Sequence, residues 1–260
     1  GINSWHYNTV PQKELNNRCG FVPRGKVLGG SSSTNAMVYI RGNKYDYDQW
    51  AANGNTGWDF DSLLPYFIKA ENNKAFINNE LHGTKGPLHV QELNNPSNIN
   101  QYFLNACAEQ GVNLSDDING KEQSGARLSQ VTQHNGERCS AAKAYLTPHL
   151  NRPNLTVLTN SHVNKINITN KIAQGVQIER NKEVINLRAK KEVILSAGAI
   201  NSPQILMLSG IGPKEQLSAH NIKVQHVLEG VGANLQDHLT VVPLYKSKTS
   251  KGTFGISPLG

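Results

Sequence analysis

The residues best suited to chemistry lie between Pro23 and Gly42, in the run Pro-Arg-Gly-Lys-Val-Leu-Gly-Gly-Ser-Ser-Ser-Thr-Asn-Ala-Met-Val-Tyr-Ile-Arg-Gly. Gly29 and Gly30 let the backbone come close to a ligand, and Ser31, Ser32 and Ser33 add hydroxyl donors beside backbone N–H groups. Such a loop suits a diphosphate. A helix opening near Asn35 and running through Ala36, Met37 and Val38 would aim the positive end of its dipole at the same anion. A flexible Gly/Ser linker is the competing reading. The apolar flanks Val27-Leu28 and Tyr39-Ile40 argue against it, since a linker runs on into polar residues.

Two later stretches carry the same kind of signal. Val193-Ile-Leu-Ser-Ala-Gly-Ala reads as a strand buried on both faces, ending at Ala197-Gly198, with Ser202-Pro203 then opening a helix as cap and N1 residue. A strand, a glycine turn and a helix N-terminus make a nucleotide-facing edge or ordinary β–α packing. Further on, Gly230-Val-Gly232 lacks the third glycine of a dinucleotide motif and sits beside Asn234-Leu-Gln-Asp-His238. Other reactive side chains are less suggestive. His82 and His89, seven residues apart with no third ligand, make a poor metal site and suit a structural role. Cys19, Cys107 and Cys139 form no Cys-x-x-Cys pair, which speaks against a zinc site or disulfide scaffold and for small buried hydrophobes.

The elements that must position these residues follow from local pattern. Trp5 to Gln12 reads as extended and aromatic. Two short helices broken at Gly54 and Gly57 are expected, the first from Asp46 and the second from Asp61 to Glu71, with Tyr45, Tyr47, Trp50 and Trp58 in the core. A strand is expected at Leu88 to Val90 and a helix over Ile99 to Gln110, with apolar positions at Phe103, Leu104 and Cys107. Leu128 to Gln133 has a strand pattern before a turn at His134-Asn-Gly-Glu. Ser140 can cap a helix through Leu146 that Pro148 ends. From Leu155 the pattern is a meander of short strands: 155–158, 163–168, 173–179, 183–188 and the buried 192–196.

The loop at 23–42 resembles the first signature of the glucose/methanol/choline oxidoreductases, flavoenzymes that oxidise alcohols. Gly198-Ala-Ile-Asn-Ser-Pro-Gln-Ile-Leu-Met-Leu-Ser-Gly-Ile-Gly212 is similar to the second signature, and 230–238 to a third segment of that family. The likeness runs from Trp5 to His238 and is strongest to the choline- and alcohol-oxidising members. It implies an α/β architecture of two domains: a Rossmann-like FAD-binding domain, and a substrate or cap domain with an antiparallel sheet. The implied division gives 1–70 to the FAD domain, with the flavin loop at 23–42, and 71–137 to the cap domain. Residues 138–238 return to the FAD domain with the meander, a strand at 192–197 and a helix at 202–209, and 239–260 begin the substrate domain again. Arg138 and Ser140 would then lie near the domain interface or act as caps.

The resemblance also implies a chemistry, in which a histidine base takes the hydroxyl proton of a small alcohol, choline among the candidates. The α C–H passes to FAD as hydride, and electrons go on to oxygen or a quinone. By resemblance, Val27, Gly29, Gly30, Ser31 and the run Asn35, Ala36, Met37, Val38 contact the diphosphate, ribityl and ring portions of FAD. Val163 meets the adenine, and Ala197 and Gly198 lie on the adenosine side. Thr34 stands where some members carry a histidine bonded to FAD, so non-covalent FAD is expected. Neither the family's amino-terminal Gly-x-Gly-x-x-Gly nor its catalytic-histidine segment matches this chain, so an internal portion of a longer enzyme is expected and no catalytic residue is assigned. A hydroxynitrile lyase of the same fold and a non-catalytic fragment are the alternative readings.

Composition bounds the rest. With 260 residues, 37% of them hydrophobic, the chain can bury one substantial core or two modest ones. A net charge of +7 invites a nucleic-acid reading, but Lys and Arg are interleaved with Asp and Glu and form no basic stripe, which speaks against one. No run of about 18 apolar residues occurs, so no membrane-spanning helix is expected, and peripheral membrane contact stays open. A reducing compartment, cytoplasmic or against an inner membrane, is the expected location.

Overall fold

A computed structural model of the chain describes residues 3–238, 240 and 241. The segment 239–260 expected to begin a substrate domain therefore lies almost wholly outside the described residues. Helices and short sheets follow one another along the chain, with both antiparallel and parallel pairings, and the residues group into two compact units, 3–156 and 157–241.

In the first unit, β1 (Tyr7–Asn8) pairs antiparallel with β2 (Phe21–Val22). The two expected helices are present. α1 (Lys44–Ala52) opens on a capping box, in which the Asn43 side chain accepts from the Tyr45 N–H at 2.9 Å and Asp46 Oδ2 accepts from the Asn43 N–H at 3.1 Å. α2 (Phe60–Ala70) is capped by Asp59, which accepts from the Ser62 N–H at 2.9 Å. β3 (Glu71–Asn73) leaves α2 directly and pairs parallel with β4 (Leu88–Val90). α3 (Asn98–Glu109) follows, capped by Ser97. β5 (Gln133–His134) and β6 (Glu137–Arg138) form a hairpin whose turn residues Asn135 and Gly136 both have positive φ, as a type I′ turn demands. A π-helical turn at Ala142–Leu146 and a 3₁₀ turn at Thr147–His149 complete the unit; Pro148 sits inside the 3₁₀ turn and does not stop the chain turning.

In the second unit, β7 (His162–Thr169), β8 (Ile172–Arg180) and β9 (Glu183–Arg188) make the expected three-stranded antiparallel meander. α4 (Gly198–Leu208) packs on β7, burying Ile205 with Ile166 and Ile178. β10 (Ile211–Gly212) pairs parallel with β11 (His226–Val227), and α5 (Lys214–Ala219) inserts Leu217 into the same core. The buried Ser209 hydroxyl joins sheet to helix: it accepts from the Ile166 N–H at 2.8 Å and donates to the Ile205 carbonyl at 2.6 Å.

Several expectations fail for identifiable reasons. No helix opens at Asn35; Gly30–Ser33 form one 3₁₀ turn, and Met37, at φ 64°, sends the chain into an extended bridge between Val38 and Val131. Residues 192–196 are not a strand, and Ile194 is 78% exposed, because among the described residues no segment pairs with them. Residues 155–158 are likewise irregular. The 128–133 pattern yields only single bridges at Val131 and a strand beginning at Gln133. α4 starts four residues before Ser202, whose hydroxyl accepts from the Ala197 N–H at 3.0 Å from within the helix. Tyr45, Trp50, Trp58 and Phe103 are exposed rather than core, and of the three cysteines only Cys139 is buried while Cys19 is exposed.

Replacing Ser209 by alanine strands the buried Ile166 N–H. Urea unfolding of Ser209→Ala is expected to show a loss of about 1–3 kcal/mol, the cost of an unsatisfied buried donor.

Candidate functional site

The segment 23–42 folds into an exposed loop of the first unit, held at both ends. At its start, the Gly30 N–H donates to the Val27 carbonyl at 2.9 Å and the Gly25 N–H to Ser31 Oγ at 3.1 Å. The serines do not present their hydroxyls outward. Ser32 Oγ donates to the Gly29 carbonyl and accepts from the Ala141 N–H at 2.9 Å, and Ser33 Oγ donates to the Leu28 carbonyl at 2.8 Å. The expected hydroxyl cradle is therefore corrected: these groups fold the loop, and the donors left for an anion are main-chain N–H groups. The absence of a helix at Asn35 removes the expected dipole as well.

Gly29 and Gly30 differ in what surrounds them. Gly29 has φ 83°, and a Cβ there would lie 2.5 Å from Ser33 Oγ and 3.1 Å from the Ala142 Cβ, so the position is closed to a side chain. Gly30 has φ 55° and open space where a Cβ would point. From that open backbone onward Thr34, Asn35, Ala36, Val38 and Ile40 are exposed, as is Leu28 before it. Val27, Ser31 and Met37 are half-buried.

Past Met37 the chain threads between two segments. The Thr132 N–H donates to the Met37 carbonyl at 2.9 Å, and the Tyr39 N–H donates to the Gln130 carbonyl at 2.8 Å. The Arg41 N–H donates to Asn119 Oδ1 at 2.7 Å, and the Gln123 amide donates to the Arg41 carbonyl at 3.2 Å. Arg138, expected at an interface or cap, turns to the loop instead. Its Nη1 donates to Asn35 Oδ1 at 2.8 Å and to the Ser32 carbonyl at 3.2 Å. Ser140 does cap, accepting from the Lys143 N–H at 3.2 Å.

Beneath the end of the loop lies a buried charge cluster. Arg41 Nη2 meets Glu71 Oε2 at 2.7 Å, His82 Nδ1 meets Glu71 Oε1 at 2.9 Å, and His82 Nε2 meets Asp117 Oδ2 at 2.9 Å. Asn73 and the Gly83 N–H also donate to Glu71. Burial pushes the Glu71 carboxyl up, but the hydrogen bonds from His82, Asn73 and Gly83 and the charge of Arg41 outweigh it and hold the carboxyl below its ordinary range. Burial pushes His82 down, and its bonds to Glu71 and Asp117 reverse that, raising it above the ordinary histidine value. The Tyr39 hydroxyl beside the cluster is raised, by burial first and by the Glu71 charge second.

Val163, Ala197 and Gly198 lie in the second unit, apart in the chain from the loop residues. Val163 is half-buried in β7 opposite Ile178, and Ala197 and Gly198 are exposed at the start of α4. Nothing in the sequence pattern singled out Gln130, Thr132 or Asn119, which fix the loop from about 80–100 residues away; polar residues in irregular segments carry no periodic signal. Among the described residues no cluster of three or more His, Cys, Asp or Glu side chains could hold a metal. No described helix is long and apolar enough to cross a membrane.

The chain belongs to the GMC oxidoreductase family, whose sequence model matches residues 8–240. It is 45% identical over 237 residues to the oxygen-dependent choline dehydrogenase of Brucella anthropi, covering 91% of this chain and 43% of that protein. It is 42% identical over 262 residues to the alcohol dehydrogenase [acceptor] of Pseudomonas putida, covering 99% of this chain and 48% of that one. Among solved structures, an FAD-dependent oxidoreductase from Chaetomium thermophilum superposes with a TM-score of 0.83 at 33% identity, over 88% of this chain and 42% of that chain. Pyridoxine 4-oxidase from Mesorbium loti gives 0.82 at 31% identity, over 87% and 45%. The chain thus spans about half the length of the relatives it matches.

FAD is the cofactor of this family, and the residues present fit it. The backbone at Gly30 is open where any side chain would stand, and the exposed run after it offers one amide and two apolar side chains.

The charge cluster sets a pH window for stability. Glu71, depressed on folding, stabilises fully above the ordinary glutamate value of 4.5 and loses this as pH falls through its folded value. His82, raised on folding, stabilises fully below the ordinary histidine value of 6.5 and loses this as pH rises through its folded value. Thermal unfolding followed from about pH 5 to about pH 9 is expected to show wild-type stability falling on the alkaline side, and His82→Gln to lack that fall.

Proposed function

We propose that the chain forms the flavin-loop portion of an FAD-dependent enzyme that oxidises a small primary alcohol, choline or a similar compound, to the aldehyde. The observation that carries this reading is the loop itself. Its open glycine face, its clamp and its position in the family signature coincide, and the relatives of highest identity quoted above are named for choline and alcohol oxidation. In this reading residues 1–70 and 138–238 contribute to a Rossmann-like FAD domain and 71–137 to a substrate-facing cap.

When bound, FAD supplies the hydride acceptor for the alcohol's α C–H. This chain's own residues do the holding. The open backbone at Gly30 admits the diphosphate at a distance that a side chain would prevent, and Gly29 beside it lets the loop close against Ser33 and Ala142. Ser31 fixes the start of the loop through Gly25, and Val27 with Met37 form its apolar floor. Asn35, Ala36 and Val38 face the ribityl and ring portion. Val163, Ala197 and Gly198 serve the adenosine end. Thr34 has no nucleophilic nitrogen to bond the flavin, so the cofactor is held non-covalently. The hydroxyl proton goes to a base that no residue of this chain is assigned to provide, and the electrons then pass to oxygen or a quinone-type acceptor. A reducing compartment, cytoplasmic or peripheral to a membrane, suits such an enzyme.

The longer enzyme that contains this segment, mixed with FAD and desalted, is expected to keep the visible absorption of oxidised flavin and to be bleached anaerobically by choline or another small primary alcohol; the segment alone, with no residue assigned as the base, is expected to be inactive. Retained colour with no bleaching by any alcohol would favour chemistry without net redox change, and loss of colour on desalting would count against the loop as an FAD site.

The open face at Gly30 gives a sharper test. Gly30→Val places a branched side chain at φ 55°, at a backbone cost of about 1–2 kcal/mol, and fills the approach to the loop. FAD affinity measured by fluorescence quenching is expected to fall at least about tenfold, a difference of about 1.4 kcal/mol, with the helix content unchanged by circular dichroism.

A further inference from the structure

We infer that Arg138 is a positioning residue that fixes the Asn35 amide in one orientation, so that Asn35 acts as an outward hydrogen-bond donor to an acceptor atom of the flavin cofactor. The inference rests on the FAD reading above. Asn35 Oδ1 receives two hydrogen bonds, from Arg138 Nη1 at 2.8 Å and from the Met37 N–H at 3.0 Å. A guanidinium and a main-chain N–H are donors only, so the face of the amide that meets them must be its oxygen. The NH₂ group is then forced to the opposite, exposed side of the loop, where among the described residues no acceptor meets it. A donor pair held outward on a rigid loop recognises an acceptor such as a carbonyl oxygen, a ring nitrogen or a phosphate oxygen.

The rigidity comes from the same segment. Arg138 lies in β6, whose backbone pairs with Gln133, and its guanidinium also holds the Ser32 carbonyl at 3.2 Å. Three residues on, the Ala141 N–H donates to Ser32 Oγ, and Ala142 stands against the position a Gly29 side chain would need. Met37 is held at φ 64°, a conformation unfavourable for a non-glycine residue, by Asn35 Oδ1 on its N–H and the Thr132 N–H on its carbonyl. The hairpin that carries Arg138 therefore fixes the loop and aims its amide together. Without the guanidinium, Oδ1 keeps only the Met37 N–H and the amide can turn.

The experiment compares wild type, Arg138→Ala, Arg138→Lys and Asn35→Asp for FAD dissociation constant, visible circular dichroism of the bound flavin, reduction potential and thermal midpoint. Asn35→Asp keeps an oxygen for Arg138 and for the Met37 N–H but replaces the outward NH₂, so it removes the donor without loosening the loop. We expect Arg138→Ala and Asn35→Asp each to weaken FAD binding about ten- to a hundredfold, the range for losing a charge-assisted or directed hydrogen bond. Arg138→Lys is expected to recover most of the affinity, and millimolar guanidinium to restore part of it to Arg138→Ala. A potential that moves with Asn35→Asp assigns the acceptor to the flavin ring, and one that stays assigns it to the ribityl or diphosphate chain. If wild type binds FAD and Asn35→Asp binds it equally, with unchanged flavin dichroism, the donor role is overturned while the FAD reading stands. If wild type itself binds no FAD, both fall.

Discussion

The first unit depends on one buried carboxylate. Glu71 has no contact with solvent, and a charge in that position is tolerated only when several donors surround it. Four do: the Arg41 guanidinium, His82 Nδ1, the Asn73 amide and the Gly83 N–H. His82 faces a carboxylate at each ring nitrogen, which favours the protonated ring and raises it above the ordinary histidine value. The three contacts that link Arg41, Glu71, His82 and Asp117 all lie between 2.7 and 2.9 Å. Removing one member leaves another charge buried and unpaired, which costs about 3–5 kcal/mol. The cluster joins the end of the 23–42 loop to β3, to the 79–83 turn and to the 115–119 turn.

Arg41 serves the fold and not the exposed face of the loop. Its guanidinium is turned inward, with Nη1 on the Leu81 carbonyl and Nη2 on Glu71, and its N–H is taken by Asn119. It anchors the loop to the fold and touches no exposed surface. Arg138 occupies the complementary place near the other end, where its charge reaches the ligand-facing stretch through Asn35. Two arginines thus hold one loop. One is sealed within an ion cluster, and the other lies next to the reachable face. Between them the chain keeps Met37 in a left-handed conformation that its own residue type disfavours.

What could be read from the sequence follows this division between local and distant forces. α1 and α2 were legible because Asn43, Asp46 and Asp59 cap within their own first turns, and the β5–β6 hairpin because Asn135-Gly136 is a local turn code. The meander was legible because its strands pair with neighbours in sequence. Residues 192–196 have the composition of a buried strand, but a strand exists only with a partner, and none pairs with them among the described residues. That the loop residues given by the resemblance lie together on one segment was legible from their contiguity in the chain. Their supports were not: Gln130, Thr132 and Arg138 lie about 90–105 residues further along, and no local pattern reports a pairing across that separation.

The glycine-serine composition of the loop illustrates the same point from the other side. From residue types alone, three consecutive hydroxyls look like ligand donors. In a tight 3₁₀ turn, however, a serine hydroxyl is closer to the carbonyl three to five residues back than to anything outside, and Ser32 and Ser33 bond to Gly29 and Leu28. Those bonds close the loop and remove the hydroxyls from recognition. What remains outward is backbone at Gly30, the amide of Asn35 and the apolar Ala36 and Val38. The shape of the loop is therefore held by its own serine hydroxyls, by Arg41 at its far end and by Arg138 from a distant hairpin.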